Sequence, residues 1–306
     1  MTLAHNETTW TNRTLLRWMR EAFESRGIDE ARVSADLLLE RAIGTDRLGL
    51  YTQADRPASK AELEALRVMV RRTLDGEPVQ YVLGEWSFFG TTLAVDQRAL
   101  IPRPCTEVIC EEALQYIRRS GVDDPLIVDI GTGSGAIAVS VAKQAPRSRV
   151  IATDLSSEAL ELARENVDRH GLGDRVDLAP GDGPAPAEDH PWVRERGGVD
   201  LLLSNPPYIP DEEWADSSMV DDVVRAHEPE MALRGGADGL SVVRRVIRSA
   251  PGLLRGGGLI AVEVAASRAQ VALSLLEESN AFRETRIAKD LDGHPRVVLG
   301  VRSPLA

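Results

Sequence analysis

Two cysteines, Cys105 and Cys110, stand among 306 residues. They are too few for a disulfide framework or a cysteine-built zinc site, so a reducing, cytoplasmic setting is expected. The five histidines (His5, His170, His190, His227, His294) show no ligand-like spacing. His170 reads as a helix end and the others as loop residues, and no metal is expected. Positive charge is in deficit too: 36 Lys and Arg against 48 Asp and Glu leave −12. That argues against tight, non-specific binding to a phosphate backbone, which needs clustered cations. No apolar run is long enough to span a bilayer. The opening MTLAHNETTW has neither a basic n-region nor an apolar h-region, so no signal peptide is expected. Internal repeats and low-complexity tracts are lacking as well.

What is present is an ordinary globular balance, 43% hydrophobic and 27% charged, in a length that suits one large domain or two smaller ones. Residues 11–75 read as helices only. Thr11 or Asn12 caps a first helix with Leu15, Leu16, Trp18, Met19, Ala22 and Phe23 as its apolar positions. A second runs from Asp29 to Ile43 with Val33, Leu37, Leu38 and Ile43 inward. Ser59 caps a third, which stops at Gly76. Arginines 13, 17, 20, 67, 71 and 72 decorate these helices, either as a solvated face or as a docking surface for an acidic or nucleic-acid-bearing partner. Residues 86–95, WSFFGTTLAV, read as a hairpin turning near Gly90, and Ile101-Pro102-Arg103-Pro104 as an extended segment. A helix from Thr106 follows.

From Leu126 strand and helix alternate, the signature of a parallel, doubly wound sheet. Strands are expected at 126–130, 149–153, 176–179, 199–204 and 258–264. An antiparallel pair, 283–288 and 296–302, turns at Asp292-Gly293 and fits a methyltransferase sheet better than a dehydrogenase one.

Two stretches carry chemistry. In LLLSNPPYIP a buried apolar strand ends abruptly at Asn205-Pro206-Pro207-Tyr208. Consecutive prolines fix φ and stop strand pairing, leaving a stiff loop at a strand's carboxyl end, where open α/β sheets keep ligands. The Asn205 amide and the Pro206 and Pro207 carbonyls supply fixed acceptors, and Tyr208 an aromatic face. Together they can hold a planar –NH2 group. The alternative is a proline-terminated strand with an ordinary turn.

The second stretch is Gly131-Thr132-Gly133-Ser134-Gly135 between a strand and a helix, followed by Asp154 at the next strand's end. A glycine turn lets backbone approach a ligand, and the acid is placed to accept from two ribose hydroxyls. A nucleoside cofactor follows, NAD or S-adenosylmethionine. The latter is preferred, because no dehydrogenase needs an Asn-Pro-Pro-Tyr loop facing the turn. Asp182 reads either as an acceptor for an adenine amino group or as half of an Asp-Gly turn.

With GTGSGAIA, Asp154 and SNPPYIP in hand, the chain resembles the protein-(glutamine-N5) methyltransferases that act on peptide chain release factors. GEPVQYVLGEWSFFG, IPRPCTEVICEEAL, EPEMALRGGADGL and DLDGHPRVVLGVR extend the likeness over nearly the whole chain. The resemblance implies an α/β fold: a Rossmann-like, seven-stranded S-adenosylmethionine-dependent methyltransferase with an N-terminal α-helical domain of five helices. The expected division is 1–84 for substrate recognition, 85–105 as a hairpin linker and 106–306 for catalysis. It implies S-adenosyl-L-methionine bound by Gly131, Thr132, Gly133, Ser134, Gly135, Asp154, Leu155, Asp182, Gly183 and Asn205. Asn205, Pro206, Pro207 and Tyr208 are the expected catalytic and amide-binding residues, with Phe88, Phe89 and Arg103 near the same pocket. Class I release factors are the implied partners, with no DNA binding and a monomer expected. Three positions depart from the family pattern: Cys105 replaces an acid, Gly183 an often aromatic residue, and Glu263-Val264-Ala265 the usual E-I-G. Competing readings are a relative turned to a small molecule or another protein's glutamine, an adenine-N6 DNA methyltransferase, and a non-catalytic binding module.

Overall fold

A computed structural model describes residues 10–304. The opening nine residues, including His5 and most of the stretch read for signal features, lie outside it. The chain divides into two compact units, Met1–Gly84 and Glu85–Ala306.

The first unit holds five helices among the described residues: α1 (Asn12–Ser25), α2 (Ala31–Ile43), α3 (Arg47–Thr52), α4 (Lys60–Leu74) and α5 (Val79–Leu83). Thr11 and Thr14 form a capping box at α1, and Ser59 with Glu62 one at α4. The six-residue α3 and five-residue α5 are too short for periodicity to reveal. Helix α2 starts at Ala31 rather than Asp29 because Glu30 takes a left-handed φ of 50°. Leu15, Met19, Phe23, Leu38, Leu39, Leu50 and Leu66 make the core. Val33, expected inward, is instead exposed, and α2 buries Asp36, which is held by Arg20 at 2.8 Å and Arg47 at 3.1 Å. Trp18, also expected inward, is 43% exposed and meets Trp10 edge-on. Of the decorating arginines, 13, 20, 67, 71 and 72 pair with acids of their own unit.

The second unit opens with a hairpin, β1 (Glu85–Phe88) and β2 (Thr91–Ala94). It is built into this unit rather than hanging as a linker. Phe88 and Leu93 lie in its core. Asn166 accepts from the Ala94 N–H at 2.7 Å and donates to the Ala94 carbonyl at 3.0 Å. Then follow α6 (Glu107–Ser120), β3 (Leu126–Ile130), α7 (Ala136–Gln144), β4 (Arg149–Asp154), α8 (Ser157–Arg169) and β5 (Val176–Pro180). Two short helices, α9 (Ala185–Glu188) and α10 (Pro191–Arg196), lead to β6 (Val199–Ser204). The chain continues through α11 (Asp211–Ala215), α12 (Asp222–His227), α13 (Ser241–Leu253), β7 (Leu254–Glu263), α14 (Ala269–Glu278), β8 (Phe282–Lys289) and β9 (Pro295–Arg302).

Among the described residues the main sheet has seven strands in the order β5-β4-β3-β6-β7-β9-β8, with β9 antiparallel to both neighbours. Strand β3 is buried at all five positions and β6 at all six, as continuous apolar runs covered by helices on both faces require. The order reverses at β3, whose neighbours are β4 and β6. Loops leaving the carboxyl ends of these strands therefore open onto one crevice. Strand β7 begins four residues earlier than expected, because Leu254 already pairs with Val199 before a register shift. Two histidines depart from a plain loop reading: His227 ends α12, and His190 is buried, caps α10 and bonds Asp177 at 2.8 Å.

Candidate active site

The crevice is a cavity of about 390 Å³, within the range that holds small ligands. Its floor is the turn after β3. Gly131, Thr132, Gly133 and Ser134 line it, whereas Gly135 does not. Gly135 has φ +80°, and a Cβ there would lie 3.3 Å from the Ala163 Cβ of α8, so this glycine serves helix packing. At Gly131 and Gly133 the left-handed turn leaves the cavity side open.

Asp154, ending β4, reaches into the same wall. Its Oδ2 accepts from the Gly133 N–H at 2.8 Å and its Oδ1 from the Ser156 N–H at 2.9 Å. Burial pushes this carboxyl's pKa up, and those N–H groups oppose the rise. Each oxygen keeps a further lone pair, so a diol can still be bound. Leu155 lines the cavity and is 60% exposed, an apolar surface beside the acid. Asp182 and Gly183 line it also. Asp182 pairs with Arg245 at 2.8 Å, and the Gly183 carbonyl accepts from Thr153 at 3.1 Å. Arg245, on α13, is a lining residue that sequence reasoning missed.

At the other end lie Ser204, Asn205, Pro206 and Pro207. Asn205 Nδ2 donates to Thr106 Oγ1 at 3.0 Å, and among the described residues Oδ1 accepts nothing. The loop rests on a backbone shelf formed by residues 233–239. The Ile209 N–H donates to the Leu233 carbonyl at 2.9 Å, and Gly235 N–H donates to Ile209 at 2.8 Å. A Cβ on Gly235 would meet the Pro207 carbonyl at 2.8 Å, and one on Gly239 the Tyr208 carbonyl at 2.4 Å. The GG-x-x-G run thus lets the two backbones touch.

Tyr208 is not on the cavity wall. Its hydroxyl donates to Glu263 Oε1 at 3.2 Å, and burial raises the phenol's pKa. Arg103 lines the cavity and is held by the buried Glu228, which also accepts the Ile101 N–H at 3.1 Å. Phe88 and Phe89, expected near the pocket, are outside it. Phe88 is core, and Phe89 sits in the hairpin turn at φ 47°, its N–H held by Glu107 at 2.7 Å. Sequence reasoning gave Thr106, Glu228 and Glu263 no part in the site. Each lies inside or beside a quoted motif, but only the folded chain brings them to the loop.

The donor set fits S-adenosylmethionine: a carboxylate with spare lone pairs for a ribose, an open glycine turn, and apolar surface at Leu155 for a flat base. No metal-ligand cluster occurs among the described residues.

Comparison with known proteins agrees. Residues 14–84 match the family described as PrmC N-terminal domain, and residues 114–237 the methyltransferase small domain. A release factor glutamine methyltransferase of Chlorobaculum tepidum is 41% identical over 93% of this chain and 95% of its own. One from Geobacter sulfurreducens is 40% identical over 95% and 96%. Among solved structures, a release factor-specific protein-(glutamine-N5) methyltransferase of Alicyclobacillus acidocaldarius is 31% identical, covering 67% of this chain and 95% of that one at TM-score 0.40. The hMettl16 catalytic domain, 15% identical with TM-score 0.54 over 82% and 86% of the two chains, shares the fold. With curated relatives matching along nearly its whole length, the chain belongs to the release factor glutamine methyltransferase family.

Proposed function

We propose that this protein methylates the side-chain nitrogen of a glutamine in class I peptide chain release factors, using S-adenosyl-L-methionine. The observation that carries this reading is the free Asn205 Oδ1, on a residue that lines, with Pro206 and Pro207, the same cavity as the glycine turn. Residues 131–134, Asp154, Leu155 and the Asp182–Gly183 segment hold the cofactor. Residues 1–84 recognise the release factor, and the enzyme acts as a cytoplasmic monomer.

Bound there, the cofactor supplies an electrophilic methyl group. A carboxamide nitrogen is a poor nucleophile, because its lone pair is delocalised into the carbonyl. Asn205 Oδ1 accepts one hydrogen of the substrate –NH2 and the Pro206 carbonyl accepts the other. Both acceptors are fixed before the substrate arrives: Asn205 by Thr106, Pro206 by its own ring and the following proline. They set the amide plane and stabilise positive charge growing on nitrogen, which is orientation plus electrostatic preorganisation. The N-alkylated amide is strongly acidic, so its proton leaves to water without an ionised base in the loop.

Asn205→Ala is expected to lower turnover at least about a hundredfold while cofactor affinity holds. Near-normal turnover would remove Asn205 from the mechanism. Calorimetry separates the other classes: heat with S-adenosylmethionine and none with NAD is expected. Silence with both would make the fold a vestigial binding module.

A further inference from the structure

The cavity wall beside Asp154 carries a cation to which the reading above gives no task. Arg245 stands on α13 one turn after Val242, so the two side chains leave the same face of the helix, and both line the cavity. The guanidinium reaches the segment after β5, where its Nη2 lies 2.8 Å from Asp182 Oδ2. The two side chains are 50% and 57% exposed. An ion pair so open to solvent adds little to stability, so its effect is to steady the guanidinium on the wall.

Gly183 makes room for it. This glycine has φ +64°, and a Cβ there would lie 3.2 Å from Arg245 Nη2. The space that a side chain at 183 would enter is taken instead by a guanidinium from α13. The segment is itself tied to the end of β4. The Gly181 N–H donates to the Asp154 carbonyl at 2.9 Å, and Thr153 Oγ1 donates to the Gly183 carbonyl at 3.1 Å. Asp154, Leu155, Asp182, Gly183 and Arg245 therefore form one stretch of the cavity wall.

A nucleoside whose ribose hydroxyls are accepted by Asp154 carries its base directly on that ribose, so the base lies along this stretch. Leu155 offers it apolar surface. A guanidinium offers a second flat surface: it is planar, delocalised and weakly hydrated, and it stacks on aromatic rings, whereas an ammonium is a hydrated point charge.

We propose that Arg245 binds the adenine of the cofactor, its guanidinium plane covering the base in the space that Gly183 leaves. The proposal rests on the function given above, through the ribose at Asp154. Asp182 steadies the guanidinium through one oxygen and keeps lone pairs on the other for the edge of the base.

The test is calorimetry, direct or by displacement, on the full chain. Three ligands share the adenosine: S-adenosylmethionine, S-adenosylhomocysteine and 5′-methylthioadenosine, of which the last has no carboxylate. Arg245→Ala is expected to weaken all three by a similar factor, about threefold or more. Arg245→Lys keeps the charge without the plane, and its affinities are expected to stay closer to those of Arg245→Ala than to the wild type's. The melting temperature of the ligand-free protein is expected to be unchanged in both variants, because the ion pair is exposed. A smaller loss for 5′-methylthioadenosine in Arg245→Ala overturns the proposal, whatever happens to the two ligands that carry a carboxylate. Wild-type affinity in Arg245→Lys overturns it too, because a point charge would then suffice. If the wild type binds none of the three ligands, the underlying function fails instead, and the two failures are thereby distinct.

Discussion

Two carboxylates a strand apart, Asp129 and Asp154, illustrate what burial does at the scale of a residue. Asp129 is completely buried, bonded by Thr132 at 2.6 Å, and its other oxygen has no partner among the described residues. Desolvation pushes its pKa to about 7. A folded pKa above the unfolded one means that the native state binds the extra proton. The stabilisation is full below the unfolded value of about 4 and fades as pH rises to about 7. Asp129→Asn keeps an acceptor for Thr132 and has no proton to lose. Its unfolding free energy, measured by urea titration, is expected to be flatter than the wild type's between about pH 4 and 7. Asp154 is different, since backbone N–H groups already engage both oxygens. Asp154→Asn is expected to weaken S-adenosylmethionine binding at least about tenfold by calorimetry, because an amide offers one acceptor where the acid offers two. Sequence reasoning placed Asp154 by its position at a strand end, but passed over Asp129, which looked like one more residue of a buried strand.

Elements are held to the site by a few polar staples. Asn166 on α8 ties the hairpin β1–β2 at Ala94 and the glycine turn at Ser134, whose carbonyl it reaches at 2.9 Å. It is completely buried, so Asn166→Ala would strand three backbone groups. A loss of about 3 kcal/mol in unfolding free energy is expected, visible as a fall in melting temperature. The shelf under the Asn-Pro-Pro-Tyr loop depends on absence of side chain rather than presence. Gly235→Ala would drive a methyl into the backbone of Pro207 and Tyr208. Turnover is expected to fall at least about tenfold by displacement of the loop, with cofactor affinity retained because the glycine turn is on another strand.

The parallel strands were legible because continuous apolar runs flanked by glycines and caps admit few other readings. The short α3 and α5 were not, having too few residues for a period. The hairpin was readable as two strands, but not its ownership. Only contacts from distant residues, Asn166 and the core around Phe88, decide that.

At the scale of the whole molecule, charge and architecture set what can approach. A chain of net charge −12 is expected to show no retention of random duplex DNA at physiological salt in an anisotropy titration. Among the described residues no helix is long and apolar enough to cross a membrane. The sequence spelled out the glycine turn after β3, the Asn-Pro-Pro-Tyr loop after β6 and the extended segment at Arg103, since each is a local run of residues with few other conformations. It gave no part in the site to Thr106, Glu228, Arg245 and Glu263, whose value lies in partners more than fifty residues away. It misplaced the hairpin phenylalanines because aromatic residues next to a motif look alike whether they line a pocket or pack beneath it. The most direct measurement is mass mapping of a purified release factor after incubation with this enzyme and methyl-labelled S-adenosylmethionine. One methyl group on a glutamine side-chain nitrogen, absent when Asn205→Ala is used, is the expected result. No incorporation, or a methyl on any other group, would contradict the cradle of Asn205 and its two prolines.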